Sequence, residues 1–203
     1  MNRWAQAAGV CLLVAQPHIA AINVALTQDD VRRALGIAAG PLDVRVRFHA
    51  PYIRSVDDPA IERLEVITEF RRLVLASEEQ ASLGNWMVAR GGYDRKGRTL
   101  ADMLQRWKGQ VSIKIRFRFH PHNSYAAVPL IDTLVGEPSY LPLDVTRTPL
   151  LAGVPKGQRA PLTGAVVETT FNAPSFSDRA QTVRIVLDGK ELVRTTVDFT
   201  TLE

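Results

Sequence analysis

Residues 181–199, "QTVRIVLDGKELVRTTVDF", are two alternating runs joined by Asp188-Gly189. That pair tolerates the positive backbone angles of a two-residue hairpin turn, so the stretch predicts two antiparallel strands. Upstream, "GAVVETTF" (164–171) reads as a further strand. "VSIKIRFRFH" (111–120) alternates without a slip, with Val111, Ile113, Ile115, Phe117 and Phe119 on one side and Ser112, Lys114, Arg116, Arg118 and His120 on the other. A period of two with one apolar side is the mark of a half-buried strand. "LDVRVRFHAPY" (42–52) shows the same alternation and is also expected as a strand, and we expect another over about 62–75. Strands with hairpin logic and no strand-helix-strand rhythm predict a mainly β fold, an antiparallel β-sandwich of immunoglobulin-like type.

Helices are expected as short insertions and at the N-terminal end. Thr27 with Asp30, Ser77 with Gln80 and Thr99 with Asp102 have capping-box spacing. They predict short helices after Thr27, over about 78–83 and after Thr99. Between residues 121 and 161 proline recurs ("VPL", "EPS", "LPLD", "TPLL", "GVPKG", "APL") beside many leucines. We expect there a long extended connection lying on the domain, with at most one edge strand.

The chain has 203 residues, 46% hydrophobic and 23% charged, with 25 Lys and Arg against 21 Asp and Glu for a net charge of +4. These values fit a soluble globular protein and permit, without demanding, an anionic partner. Arg3, the apolar run from Ala5 to Ala15, the break at Gln16-Pro17 and the small residues Ala20 and Ala21 have the layout of a secretory signal. Residues 1–21 are therefore expected to be a signal peptide, residues 22–203 a single domain, and the protein secreted or periplasmic with no transmembrane span in the mature chain. The one cysteine, Cys11, lies within that signal. Its removal would exclude a disulfide framework, cysteine-ligated zinc and a cysteine nucleophile.

Nucleotide-loop, Walker, Gly-x-Ser-x-Gly, His-Glu-x-x-His and EF-hand patterns are all missing, and no cofactor is implied. Four constellations remain. His49, His120 and His122 are the imidazoles that strand ends would have to bring together to hold a metal. His120 or His122 with Ser124 or Asp132 is the corresponding hydrolytic pair. Lys114, Arg116 and Arg118, joined by Arg45 and Arg47, would form a cationic sheet face, with Glu65 and Glu69 on the neighbouring strand positioned to neutralise it. Finally, Trp86, Tyr93 and Arg95 bracket the Gly-rich loop "NWMVARGGYDRKGR", where aromatic anchors and basic groups together suit a binding surface. The sequence points first to an exported, non-enzymatic module binding a protein or an anionic envelope component. An envelope hydrolase with a carboxylate or histidine site and a purely structural envelope part are the alternatives. Export and the lack of aromatics regularly interleaved with basic residues argue against nucleic acid.

Overall fold

The computed structural model describes residues 26–122, 126–153, 160–175 and 179–203. The signal read over residues 1–21, with its Cys11, lies outside them, as does Ser124. The chain is mainly β, with two antiparallel sheets and no closed barrel. In order it forms α1 (Gln28–Ala38), α2 (Leu42–His49), β1 (Ile53–Arg54), β2 (Ile61–Ile67), α3 (Glu69–Ser82), α4 (Trp86–Ala89), α5 (Leu100–Met103), β3 (Gln110–Arg118), β4 (Ile131–Val135), β5 (Asp144–Leu151), β6 (Leu162–Asn172), β7 (Ala180–Leu187) and β8 (Lys190–Asp198). One sheet has the order β1-β2-β3-β6-β5 and the other β4-β7-β8.

β7 and β8 pair as the hairpin the sequence predicts, with Leu187 opposite Lys190 and positive φ at both Asp188 (47°) and Gly189 (82°). In β3 the alternation is realised except at Ser112, which is buried where Arg72 reaches it. Val111, Ile113, Ile115 and Phe117 are buried, Arg116 and Arg118 exposed. The apolar faces of both sheets enter one hydrophobic cluster, in which Ile113, Ile115 and Val167 of the larger sheet meet Ile131, Val135, Val183 and Ile185 of the smaller. Burying apolar surface from both sheets in one cluster is the main force holding them together.

The helical part is larger than expected, and the strands read over 42–49 and 62–75 are corrected. Residues 42–49 form α2. In a helix Arg45 and His49 are i and i+4, and both reach the Glu78 carboxylate, at 3.7 and 3.1 Å. Asp43 pairs with Arg47 at the same spacing, 2.9 Å apart. Gly40-Pro41 also supplies a helix start, because Pro41 at the N-cap has no N–H to leave orphaned. The strand expected over 62–75 ends at Ile67, where Thr68 caps α3 by accepting a hydrogen bond from the Arg71 N–H. Phe70, Leu73, Val74 and Ser77 then form one buried stripe at helical spacing. Ser77 is therefore an interior residue of α3, donating to the Ala89 carbonyl at 2.6 Å, and does not cap a helix over 78–83. Both other capping boxes form, at Thr27 and at Thr99.

The Pro-rich segment is corrected as well, since it holds two strands. β4 and β5 are the outermost strands of their sheets. An outer strand needs only one row of ladder bonds, so Pro149 is accommodated within β5. Arg147 of β5 donates to the Ile131 carbonyl (3.0 Å) and to Asp132 (3.2 Å), joining the two sheets where their outer strands approach.

A second apolar cluster of α1, α3, α4 and α5 residues includes Ala34, Phe70, Leu73, Val74, Val88 and Leu100, and Phe48 packs against both clusters. Arg71, 1% exposed, ties the helices to the sheet. Its guanidinium donates to the Val66 carbonyl (2.6 Å), the Glu65 carboxylate (2.7 Å) and His49 Nδ1 (3.4 Å) and lies over the Tyr52 ring. Beside it Arg72 reaches Ser112 and Glu168 on the face of β3 and β6 turned away from the other sheet. Among the described residues no helix is long and apolar enough to cross a membrane.

Candidate functional site

Trp86, Tyr93 and Arg95 do come together. Just past the Leu83 C-cap of α3, Gly84 with its φ of +79° turns the chain, and the Asn85 N–H donates back to the Gln80 carbonyl. Trp86 then starts the single turn of α4. Gly91, also at positive φ (87°), and Gly92 pass so close to Leu35 and Met87 that a Cβ on either would collide, at 2.8 and 2.7 Å. The bare backbone at "RGG" thus lets the loop double back and carry Tyr93 next to Trp86.

Beyond Tyr93 the loop is held by one carboxylate. Asp94 Oδ1 accepts the N–H groups of Lys96 and Arg98, each at 2.8 Å, while Oδ2 takes the Arg98 guanidinium at 2.9 Å. Backbone hydrogen bonding from Arg98, together with its guanidinium and the Lys96 N–H, keeps the Asp94 carboxyl below its ordinary value. Arg95 and Lys96 project from this fixed turn.

The result is an open concavity of about 680 Å³ lined by Trp86, Met87, Tyr93, Asp94, Arg95 and Lys96 among others. Leu83 (65% exposed), Trp86 (58%), Met87 (69%) and Tyr93 (61%) leave large apolar surfaces in water within eleven residues of chain. A cluster of that kind marks an interaction surface far better than scattered single residues do. Its charge is as uneven as its hydrophobicity. Among the described residues Arg90, Arg95 and Lys96 have no acidic partner, whereas the neighbouring Arg45 and Arg98 face Glu78 and Asp94. The site is a cationic rim around an exposed aromatic patch.

The stripe on β3 differs. Arg116 and Arg118 both approach Glu62, at 3.0 and 3.6 Å, so the neutralising group is Glu62 and not the expected Glu65 and Glu69. Glu65 is occupied by Arg63 and Arg71, and Glu69, in the first turn of α3, accepts the Gly109 N–H. Lys114 lies between Glu65 and Glu168 in register. Arg45 and Arg47, being on α2, do not join this face.

The histidines divide. His120 and His122 are neighbours, their rings 5.1 Å apart and the His122 N–H donating to His120 Nδ1. His49 is not at a strand end but on α2. Its Nδ1 accepts from Arg71 Nε, which has no lone pair to offer, so the ring hydrogen is on Nε2 and donates to Glu78. Both nitrogens are engaged, and no group of three or more His, Cys, Asp or Glu side chains placed to hold a metal occurs among the described residues. Asp132 is bound to Arg147.

No family model matches the chain, and comparison with curated proteins and with solved structures gave no match.

Proposed function

We propose that this is a non-enzymatic binding module that recognises an acidic, partly apolar segment of another protein through the Trp86–Tyr93 surface. The observation that carries it is the coincidence, in one concave place, of three exposed large apolar side chains, Trp86, Met87 and Tyr93, with Arg95 and Lys96, two cations that have no acidic partner among the described residues, on a fixed turn. Aromatic anchors supply the contact area and basic groups the orientation and capture rate. A concave site beside Trp86 suits a chain segment better than the flat boundary of a lipid surface. In this reading the scaffold is an immunoglobulin-like β-sandwich with a helical layer, supported by the cluster that draws on both sheets. The protein acts outside the cytoplasm, in the periplasm or beyond, supported by the signal layout of residues 1–21.

Selection of displayed random peptides on the purified protein tests the reading. Enriched peptides should pair Asp or Glu with a large apolar residue, bind less well as salt rises, and lose at least about 2 kcal/mol, or thirtyfold, on Trp86→Ala. Peptides that bind the wild type and the Trp86→Ala, Tyr93→Ala variant alike would refute it.

A further inference from the structure

Trp86 has a second face. It also lines a separate cavity of about 490 Å³ between the end of α1, α2, α3 and α4, with Arg45, Glu78 and Arg90 in its wall. That volume is in the range of small-ligand pockets, roughly 300–1,000 Å³. The space exists because the residues around it are small, Ala38, Ala39, Gly40, Ala81 and Ala89 among them.

The polar groups of this wall are incompletely used. Glu78 gives one oxygen to His49 at 3.1 Å, and its other oxygen is 3.7 Å from Arg45 Nη1, too long for a hydrogen bond. Arg45 Nε is buried and has no hydrogen-bond partner among the described residues. Arg90, across the same cavity, has no acidic partner among the described residues. Two guanidinium groups in one cavity wall can each donate to a carboxylate. The charges set the ligand's charge as well, since two arginines against one glutamate leave a single positive charge and therefore suit a monoanion.

We infer that this cavity is the anchor pocket of the binding surface, taking one carboxylate of the partner between Arg45 and Arg90 with its apolar stem against Trp86. The inference rests on the reading of the Trp86 surface as a binding face and adds the chemistry of the group that enters deepest. The carboxylate can come from an Asp or Glu side chain or from a free chain terminus. Recognition of the group is the same in both cases.

The test uses 3-phenylpropionate and its uncharged analogue 3-phenylpropanamide, titrated into full-length protein while the Trp86 indole N–H and Arg45 Nε–H signals are followed by NMR. The acid should shift both signals saturably, and the amide should bind at least about tenfold more weakly, as expected for the loss of a charge-assisted pair. Arg90→Gln, at an exposed position, should weaken the acid by a similar factor without changing the fold. Arg45→Gln should do the same, and the comparison of acid with amide on the wild type stands even if that variant fails to fold. Equal binding of acid and amide, comparable binding of inorganic phosphate, or an unchanged Arg90→Gln variant would overturn the inference. If peptides selected on the protein still depended on Trp86, the failure would be confined to the pocket; if they did not, the binding-face reading would fall first. With selected peptides, loss of binding on amidating the C-terminus assigns the carboxylate to a chain end, and loss on Asp→Asn or Glu→Gln exchange assigns it to a side chain. A peptide indifferent to both exchanges would again overturn it.

Discussion

Asp94 illustrates how much a single side chain can fix. Its carboxylate closes the 94–98 turn from inside, so the positions of Arg95 and Lys96 depend on it. Because its folded-state pKa is depressed, the order it provides is fully present above the ordinary aspartate value of 3.8 and is lost as pH falls through the lower folded value. The Lys96 and Arg98 amide signals should therefore titrate with a midpoint below 3.8, and a midpoint at or above that value would show the turn is held by something else. In the β7–β8 turn Gly189 has a φ of 82°, which a β-branched residue resists. Gly189→Val should lower stability by about 1 kcal/mol or more, read from the urea midpoint. Asp188-Gly189 was legible because its dipeptide chemistry is local. Trp86, Tyr93 and Arg95 were legible because aromatics beside a Gly-rich basic loop stand out. Leu83, Met87 and Arg90 were not, since whether a leucine is covered or an arginine paired depends on elements far away in sequence.

Whole elements were misread where local periodicity had two solutions. In α2, Val44, Val46 and Phe48 alternate as a strand would, but an eight-residue run is too short for period two to exclude period 3.6. The tie is broken by Glu78 of α3, which engages Arg45 and His49 on one helical face. In α3 the strand-like pattern of 62–70 spans a true boundary at Thr68, where strand and helix share one apolar side. Arg71 carries the consequence. It is buried, and Arg71→Leu would leave the Val66 carbonyl and His49 Nδ1 without their donor while Glu65, partly buried, keeps Arg63, so the substitution should destabilise by about 1–3 kcal/mol in urea unfolding. A loss under about 1 kcal/mol would mean water replaces the guanidinium at little cost. Glu69, in the first turn of α3, gives a prediction of opposite sign to Asp94. Burial raises its pKa, with the Gly109 N–H and Lys108 opposing. The folded state thus holds that proton more tightly, and the group weakens the fold as pH rises from the ordinary glutamate value through the folded one. Glu69→Gln keeps an acceptor for Gly109 and should flatten that part of the pH–stability curve; an unchanged slope would place its origin elsewhere.

At the scale of the molecule, the two basic surfaces can be told apart by what opposes their charge. Arg116 and Arg118 face Glu62, and Lys114 sits between Glu65 and Glu168, so on this sheet face each of these cations has a carboxylate neighbour, in exposed pairs that contribute little to stability. Arg90, Arg95 and Lys96 have no such opposition among the described residues and stand beside exposed aromatics. The sheet face was visible in the sequence as a stripe; its neutralisation was not assignable, because the pairing register, with Arg63 opposite Arg116, is set by the bulge in β2 between Ile61 and Arg63. The two surfaces respond differently to the same operation. Replacing Lys114, Arg116 and Arg118 together by Gln should leave the fold intact, with a loss of about 0–1 kcal/mol per residue, and leave selected acidic peptides binding with unchanged salt dependence. Replacing Arg90, Arg95 and Lys96 by Gln should also preserve the fold, all three being exposed, but should remove most of that salt dependence and weaken binding mainly through a slower association rate. Measuring association rates of one selected peptide with both triple variants at low and at physiological salt separates the cases. If the β3 variant lost the salt-dependent part and the loop variant kept it, the binding surface would be the sheet face and the Trp86 patch an exposed edge of the helical layer.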